Sequence, residues 1–396
     1  MTIASRSNVL RARGQGHARV GFMELFFDLV FVFAITQLSH TLLAHFSLLG
    51  AVQSLMLLLA TWWVWVYTAW ATNWLDPERL PVRALLMALM GIGLFIAMAI
   101  PEAFGVRGLV FAGAYVAMQL GRTLFTLWAL RGHSQATYRS FLRITIWFAF
   151  SGIFWIAGGV ATNDLRLALW LIALTIDYSA PSLTYYVPGL GRSATTDWDV
   201  EGGHIAERCG LFVIIALGES ILITGATFAE LAWTTSTVAA FVSAFATTIA
   251  MWWLYFNIGA ERGSHLISGA EDPGWLARIA YTYMHLPIVA GIIVTAASDE
   301  LVLAHPDGHT SWGTAAAIIG GSALYLIGNG FFKRLTARWF PLSHLVGLGA
   351  CALLAAAVPY LSPVLLSIIM TLLLIVVAAW ESISLGMPSA GASDAP

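Results

Sequence analysis

Glu24 and Asp28 stand four residues apart in the stretch Glu24-Leu-Phe-Phe-Asp28, inside an otherwise apolar run from Gly21 to His40. On a helix that spacing projects both carboxylates from one face. A charged side chain at the centre of a bilayer costs about 2.5–3.5 kcal/mol on insertion scales, so both must meet protein, water or the headgroup layer. A pair so placed could bind a cation or pass a proton. Glu24 also has a plainer use, since negative charge at a helix N-terminus complements the macrodipole. Asp28 lies about 6 Å deeper at 1.5 Å per residue, where that use runs out.

A second group opens another apolar run. His204, Glu207 and Arg208 occupy positions i, i+3 and i+4, which the spacing places on one face of a helix start. Their His-x-x-Glu order reverses the Glu-x-x-His of carboxylate-bridged metal helices, and the further ligands are missing, so no metal or cofactor is expected. Arg208 is expected instead to pair with Glu24 or Asp28 across a repeat interface, joining the first and seventh runs through a buried ion pair. Glu219 lies about 18 Å beyond Glu207 along the same helix, out of reach of the headgroups. Gly218 and Ser220 beside it leave room for a close helix or a water. A carboxyl that takes up and releases a proton at that depth is what a proton-coupled transporter needs. The plainer reading is a protonated Glu hydrogen-bonded to a neighbouring helix.

Asp177 and Arg122 are further ionisable groups within apolar runs, and Arg122 calls for an acidic partner, Asp177 or Asp28. His285 precedes Pro287, which breaks its helix early and frees carbonyls that could line a cavity; a satisfied core histidine is the plainer reading. The candidate ion pathway is therefore Glu24, Asp28, Asp177, Glu207, Glu219 and His285. Arg122, Arg208 and His204 are expected to be structural ion-pairing residues.

Composition says what must position these groups. Of 396 residues, 59% are hydrophobic and 10% charged, against about 25% charged in an ordinary soluble domain. That is a polytopic membrane protein. A net charge of -2 gives no sign of a nucleic-acid partner, and Cys209 and Cys351 both fall in apolar runs, away from any disulfide framework. Residues 1–20 read as a basic, flexible cytoplasmic tail without a cleavable signal, and 385–396 as a small, polar, disordered tail. Between them lie twelve apolar runs long enough to cross a bilayer, at about 22–46, 48–72, 80–101, 106–130, 138–160, 165–187, 204–227, 233–257, 274–298, 311–332, 341–358 and 362–384. The fold class is all-α. With that count, every Lys and Arg except Arg107, Arg166 and the mid-helix Arg122 falls on one side, which places both termini in the cytoplasm of a cell with the protein in its inner membrane.

The two halves of the chain also echo each other. Glu24 matches Glu207, Ala60-Thr-Trp-Trp63 matches Ala250-Met-Trp-Trp253, Arg83 matches Arg278, Tyr115 with Gln119 matches Tyr325 with Asn329, and Asp177 matches Glu381. The order is kept while the spacing drifts. This predicts two parallel six-helix repeats, 21–190 and 191–384, related by an axis along the membrane normal.

Glu24-Leu-Phe-Phe-Asp-Leu-Val-Phe-Val-Phe-Ala closely resembles the opening signature of the bacterial low temperature requirement protein A (LtrA) family. His204-Ile-Ala-Glu-Arg-Cys-Gly-Leu-Phe-Val-Ile-Ile-Ala-Leu-Gly-Glu-Ser resembles its second signature, and Trp252-Trp-Leu-Tyr-Phe256 and Tyr281-Thr-Tyr-Met-His285-Leu-Pro are further matches. The resemblance runs over about residues 20–385. It implies a polytopic inner-membrane protein and carries no substrate or reaction.

The residues point to a secondary transporter or ion permease using intramembrane carboxylates, with protons, a small cation or a solute as its partners beside the lipid bilayer. A channel is the runner-up, and a membrane sensor or assembly protein with structural buried ion pairs a further class. An enzyme acting on a lipid or quinone finds little support: Walker, nucleophile-elbow and metal-ligand patterns are all missing.

Overall fold

In the computed structural model the apolar runs become helices, several of them started by local chemistry visible in the sequence. The structure describes residues 9–11, 20–193, 201–257, 273–337 and 340–386. Its long helices are α1 Phe22–Ala44, α2 Leu48–Trp74, α3 Leu80–Ala99, α4 Gly108–Leu130, α5 Gln135–Val160, α6 Asn163–Ser179, α7 Gly202–Ala229 and α8 Thr235–Phe256. The next, α9, runs in three pieces, Pro273–Ala277, a π-helical stretch Arg278–Tyr283, and His285–Ala304. The chain continues through α10 Trp312–Ala337, α11 Leu342–Ala357 and α12 Pro363–Gly386. Ser47, Ser134 and Thr234 cap α2, α5 and α8 by accepting from the backbone N–H three residues on. At α1 the Glu24 carboxylate reaches back to the Gly21 N–H at 3.0 Å. Among the described residues no β-strand forms.

Ten of these helices are long and apolar enough to cross a membrane. α4 falls short on apolarity because it carries Arg122, and α6 on length. The sixth run was expected to reach 187, but Pro181 and the left-handed Thr184 and Tyr185 (φ 53° and 49°) turn the chain after Ser179. The ninth shows the opposite difference: α9 continues to Ala304, so Asp299 is helical and buried rather than in a loop.

The chain divides into two compact units, Met1–Ile215 with Ile267–Thr282, and Ala216–Leu266 with Tyr283–Pro396. In the first, α2 is the central helix: Trp62, Trp63, Val64, Trp65 and Val66 are all buried. α1 shows how a helix sits between protein and lipid. Phe22, Phe26, Leu29 and Phe33 form an exposed stripe at helical spacing, while Phe27, Asp28, Phe31 and Ile35 face inward. Trp74 is buried edge-on against Phe141, 5.3 Å between ring centroids. The glycines of α5 are what let helices meet. A Cβ on Gly159 would sit 3.0 Å from the Leu109 Cα, so any larger residue would press α4 outward by a few tenths of an ångström.

The second unit packs Phe228, Ala240, Val302, Ile318, Cys351 and Leu366 into an apolar cluster. α9 and α10 approach closely there, with a Cβ on Gly291 falling 2.5 Å from the Tyr325 N. Cys209 and Cys351 are both buried and unbridged.

Candidate functional site

Four of the sequence-predicted residues converge inside the first unit, held by α1, α2 and α7. α1 presents Glu24 and Asp28 from its inner face. The start of α7 is fixed by Asn73 near the end of α2, whose side chain donates to the Glu201 carbonyl at 2.9 Å and accepts from the Glu201 N–H at 3.0 Å. That anchor directs His204 and Arg208, one turn apart, toward α1. Val9–Arg11, expected in a flexible tail, is pinned along the end of α2 by Asp76 N–H to Val9 O (2.9 Å) and Arg11 N–H to Trp74 O (2.8 Å). Those two backbone bonds bring the Arg11 side chain to the cluster.

Arg208 stands between the two carboxylates. Its Nη1 donates to Glu24 Oε1 at 3.0 Å and to Thr72 Oγ1 at 3.3 Å, and its Nη2 donates to Asp28 Oδ1 at 2.6 Å. His204 Nε2 donates to the same Glu24 oxygen at 2.9 Å. Glu24 Oε2 accepts from the Gly21 N–H and, at 3.4 Å, from Arg11. Trp65 Nε1 adds a bond to Asp28 Oδ1 at 2.7 Å, and the Trp65 ring lies 5.8 Å from the Arg208 guanidinium carbon. Glu24, Asp28, His204 and Arg208 are each 0% exposed. With His204 neutral, two arginines balance two carboxylates, which is the condition for burying any of them.

The network is unevenly saturated. Glu24 uses both oxygens, whereas Asp28 Oδ2, His204 Nδ1 and Arg208 Nε have no hydrogen-bond partner among the described residues. Asp28 can therefore take a proton on Oδ2 while Oδ1 keeps its bonds to Arg208 and Trp65.

The other predicted residues lie elsewhere. Glu207 does not share the face of His204 and Arg208: at 100° per residue it points 100° away from Arg208, is exposed, and accepts from the Val20 N–H at 3.1 Å. Asp177 is buried in the first unit, its Oδ2 accepting from Tyr115 Oη at 2.7 Å and Trp155 Nε1 at 3.0 Å. The expected Arg122–Asp177 or Arg122–Asp28 ion pair does not form. Arg122 donates to the Val64 carbonyl (3.2 Å), Thr68 Oγ1 (3.1 Å) and the Gln119 side-chain carbonyl, because α2 and α4 bring neutral acceptors to it first. Gln119 Nε2 then donates to Tyr115 Oη at 3.2 Å, so Arg122 reaches Asp177 only through two neutral side chains. In the second unit Glu219 is buried, and His285 is wholly buried with Nε2 2.6 Å from Tyr255 Oη.

Sequence reasoning missed three features. Lys333, assigned to the basic side of the membrane, forms a buried pair with Glu381 at 2.7 Å in the second unit. Asp299 is buried there as well. Arg166, assigned to the outer loops, folds over carbonyls at the end of α5, including Gly158 O and Ala161 O, and those of Ala103 and Gly105. None of the three had a spacing signal in the sequence: Lys333 and Glu381, for example, meet from 48 residues apart.

The family model described as bacterial low temperature requirement A protein matches residues 19–379. An uncharacterized protein of Rhizobium meliloti (strain 1021) is 42% identical over 377 residues, 95% of this chain and 92% of the relative. No solved structure matches the chain. The match spans both the helix that carries Glu24 and Asp28 and the one that carries His204 and Arg208, and the chain is a multi-pass membrane protein belonging to the bacterial low temperature requirement A (LtrA) family.

Proposed function

We propose that the protein is a secondary transporter of the inner membrane, coupled to protons, with both termini in the cytoplasm and its helices arranged as two parallel six-helix repeats. The observation that carries this reading is Asp28: a carboxylate with 0% exposure whose Oδ1 is held by Arg208 and Trp65 while Oδ2 has no hydrogen-bond partner among the described residues. A purely structural ion pair gains by saturating its oxygens. An oxygen left open in a buried network is where a proton can come and go. Glu24, saturated on both oxygens, serves to lock α1 to α7 rather than to exchange. Glu219, the other deep carboxyl on α7, is the proton carrier of the second unit in this reading, and Arg208 the counter-charge that keeps Asp28 in place.

The test is flux in proteoliposomes carrying an internal pH-sensitive dye under imposed K+ or Na+ gradients. Wild type should move protons, and Asp28→Asn and Glu219→Gln should each lose that movement while remaining folded. Proton-linked flux retained in both variants, or none in the wild type, overturns the proposal.

A further inference from the structure

The first unit holds a second buried charge that the carboxylate cluster does not use. Arg122 is 1% exposed and lines a cavity of about 50 Å³ together with Arg278, Tyr67, Trp70, Trp74 and Tyr185. Neither arginine has a carboxylate partner among the described residues. Arg122 bonds only neutral acceptors, and Arg278 donates to the Pro181 carbonyl at 3.3 Å. The Tyr67 and Phe148 rings lie 5.5 Å and 5.8 Å from the Arg122 guanidinium carbon. Such cation–π contacts and neutral hydrogen bonds soften the loss of water, yet an unpaired buried cation remains among the costliest groups a protein can hold. Among the described residues no acidic side chain bonds either arginine, and Arg122 reaches Asp177 only through Gln119 and Tyr115.

The walls say what would supply the missing charge. Trp70 is tied back, its Nε1 donating to Thr282 Oγ1 at 3.0 Å, and the Tyr67 and Tyr185 hydroxyls bond each other, so their rings are presented as apolar surface. The cavity lies at the ends of α2 and α6 and the starts of α5 and α9, the same end of the chain's crossings as Arg131, Arg139 and Arg192; Arg79 and Arg83 there are already paired with Asp76 and Glu78. A positive rim there draws anions toward the opening. A water needs about 10–15 Å³ by this measure, so the space takes a few waters or one small organic anion. Arg278 and Thr282 stand four residues apart in the π-helical stretch Arg278–Tyr283, and both line this wall.

We propose that this cavity binds a small organic monocarboxylate, its charged head on Arg122 and Arg278 and its apolar body among the rings. As the carried solute it rests on the transporter reading above; as a binding site it stands without it.

Thermal unfolding of the purified full chain in detergent, at constant ionic strength, with sodium propionate titrated against sodium chloride, tests the site. Propionate should raise the Tm with saturation, and Arg122→Gln and Arg278→Gln should each weaken the apparent affinity at least tenfold. Should Arg122→Gln fail to fold, Arg278→Gln decides, since that residue is only partly buried. No saturable shift with propionate, an unchanged affinity in Arg278→Gln, or an equal effect from chloride overturns the proposal. Propionate binding without proton flux would remove the transporter reading and leave the site; flux without propionate binding would do the reverse.

Discussion

Removing Arg208 should cost far more than removing either carboxylate it serves. Arg208→Gln takes away two charge-assisted bonds, 3.0 Å to Glu24 and 2.6 Å to Asp28, and leaves two wholly buried carboxylates with one arginine, Arg11 at 3.4 Å from Glu24, and none at Asp28. Breaking a buried pair by deleting one partner costs about 3–5 kcal/mol, and that is the expected loss. Asp28→Asn keeps the shape and an acceptor for Trp65, and it leaves Arg208 matched by Glu24. Its loss should be near that of one charged hydrogen bond, about 1.5–3 kcal/mol. In the double variant no unpaired carboxylate remains at position 28, so its cost should fall short of the sum by about 1–3 kcal/mol. Reversible unfolding in mixed detergent micelles, followed by tryptophan fluorescence, measures all three. Additivity within about 0.5 kcal/mol would refute the reasoning, because it would mean that Arg208 and Asp28 do not share the energy their geometry assigns them.

Four further outcomes are expected. In the second unit, Lys333→Met or Glu381→Leu alone should each destabilise by about 3–5 kcal/mol, and the pair together by much less, read by the same unfolding assay. Gly291→Ala should lower stability by about 1–3 kcal/mol through overpacking, since its Cβ would meet the Tyr325 backbone, whereas Gly113→Ala, with nothing within 4 Å, should be neutral. Trp65→Phe removes one donor to Asp28 and should cost about 1 kcal/mol, with any larger effect on proton flux than on stability marking Trp65 as a positioning residue for the proton site. Asn73→Ala frees the entry to α7 and should leave Arg208 more exposed to a soluble arginine-modifying reagent such as phenylglyoxal, an increase absent from wild type.

The helices were legible because hydrocarbon imposes one severe rule, about 20 apolar residues with every backbone bond closed inside the segment. Boundaries were less so. Asp299 and Glu300 look like a loop from sequence, yet α9 passes through them, since hydropathy cannot tell a solvated charge from one tucked against another helix. The same blindness explains Arg122, whose charge is visible but whose neutral acceptors on α2 are not. Glu207 went astray for a local reason. An i, i+3, i+4 triplet spans 100°, wide enough for its members to part company at the edge of a buried stripe. The Lys333–Glu381 pair lies 48 residues apart and obeys no spacing rule at all.

The Glu24–Asp28–Arg208 group was legible for a reason that bears on its role. Between membrane helices the apolar surface offers little preference for one register over another, because lipid tails solvate it equally well, so association depends on packing and polar bonds. A cluster that bonds α1, α2 and α7 at once, through Glu24, Asp28, Trp65, Thr72 and Arg208, fixes that register whatever else it does. Its burial alone therefore argues nothing for transport. What favours transport is the asymmetry within the cluster: Glu24 is bonded on both oxygens and Asp28 on one. If register were the whole purpose, Asp28→Asn should alter stability and leave flux as it was, while Glu24→Gln should alter stability more. If the open oxygen works, the order reverses in flux and holds in stability. That crossing of two rankings is what a structural cluster cannot produce.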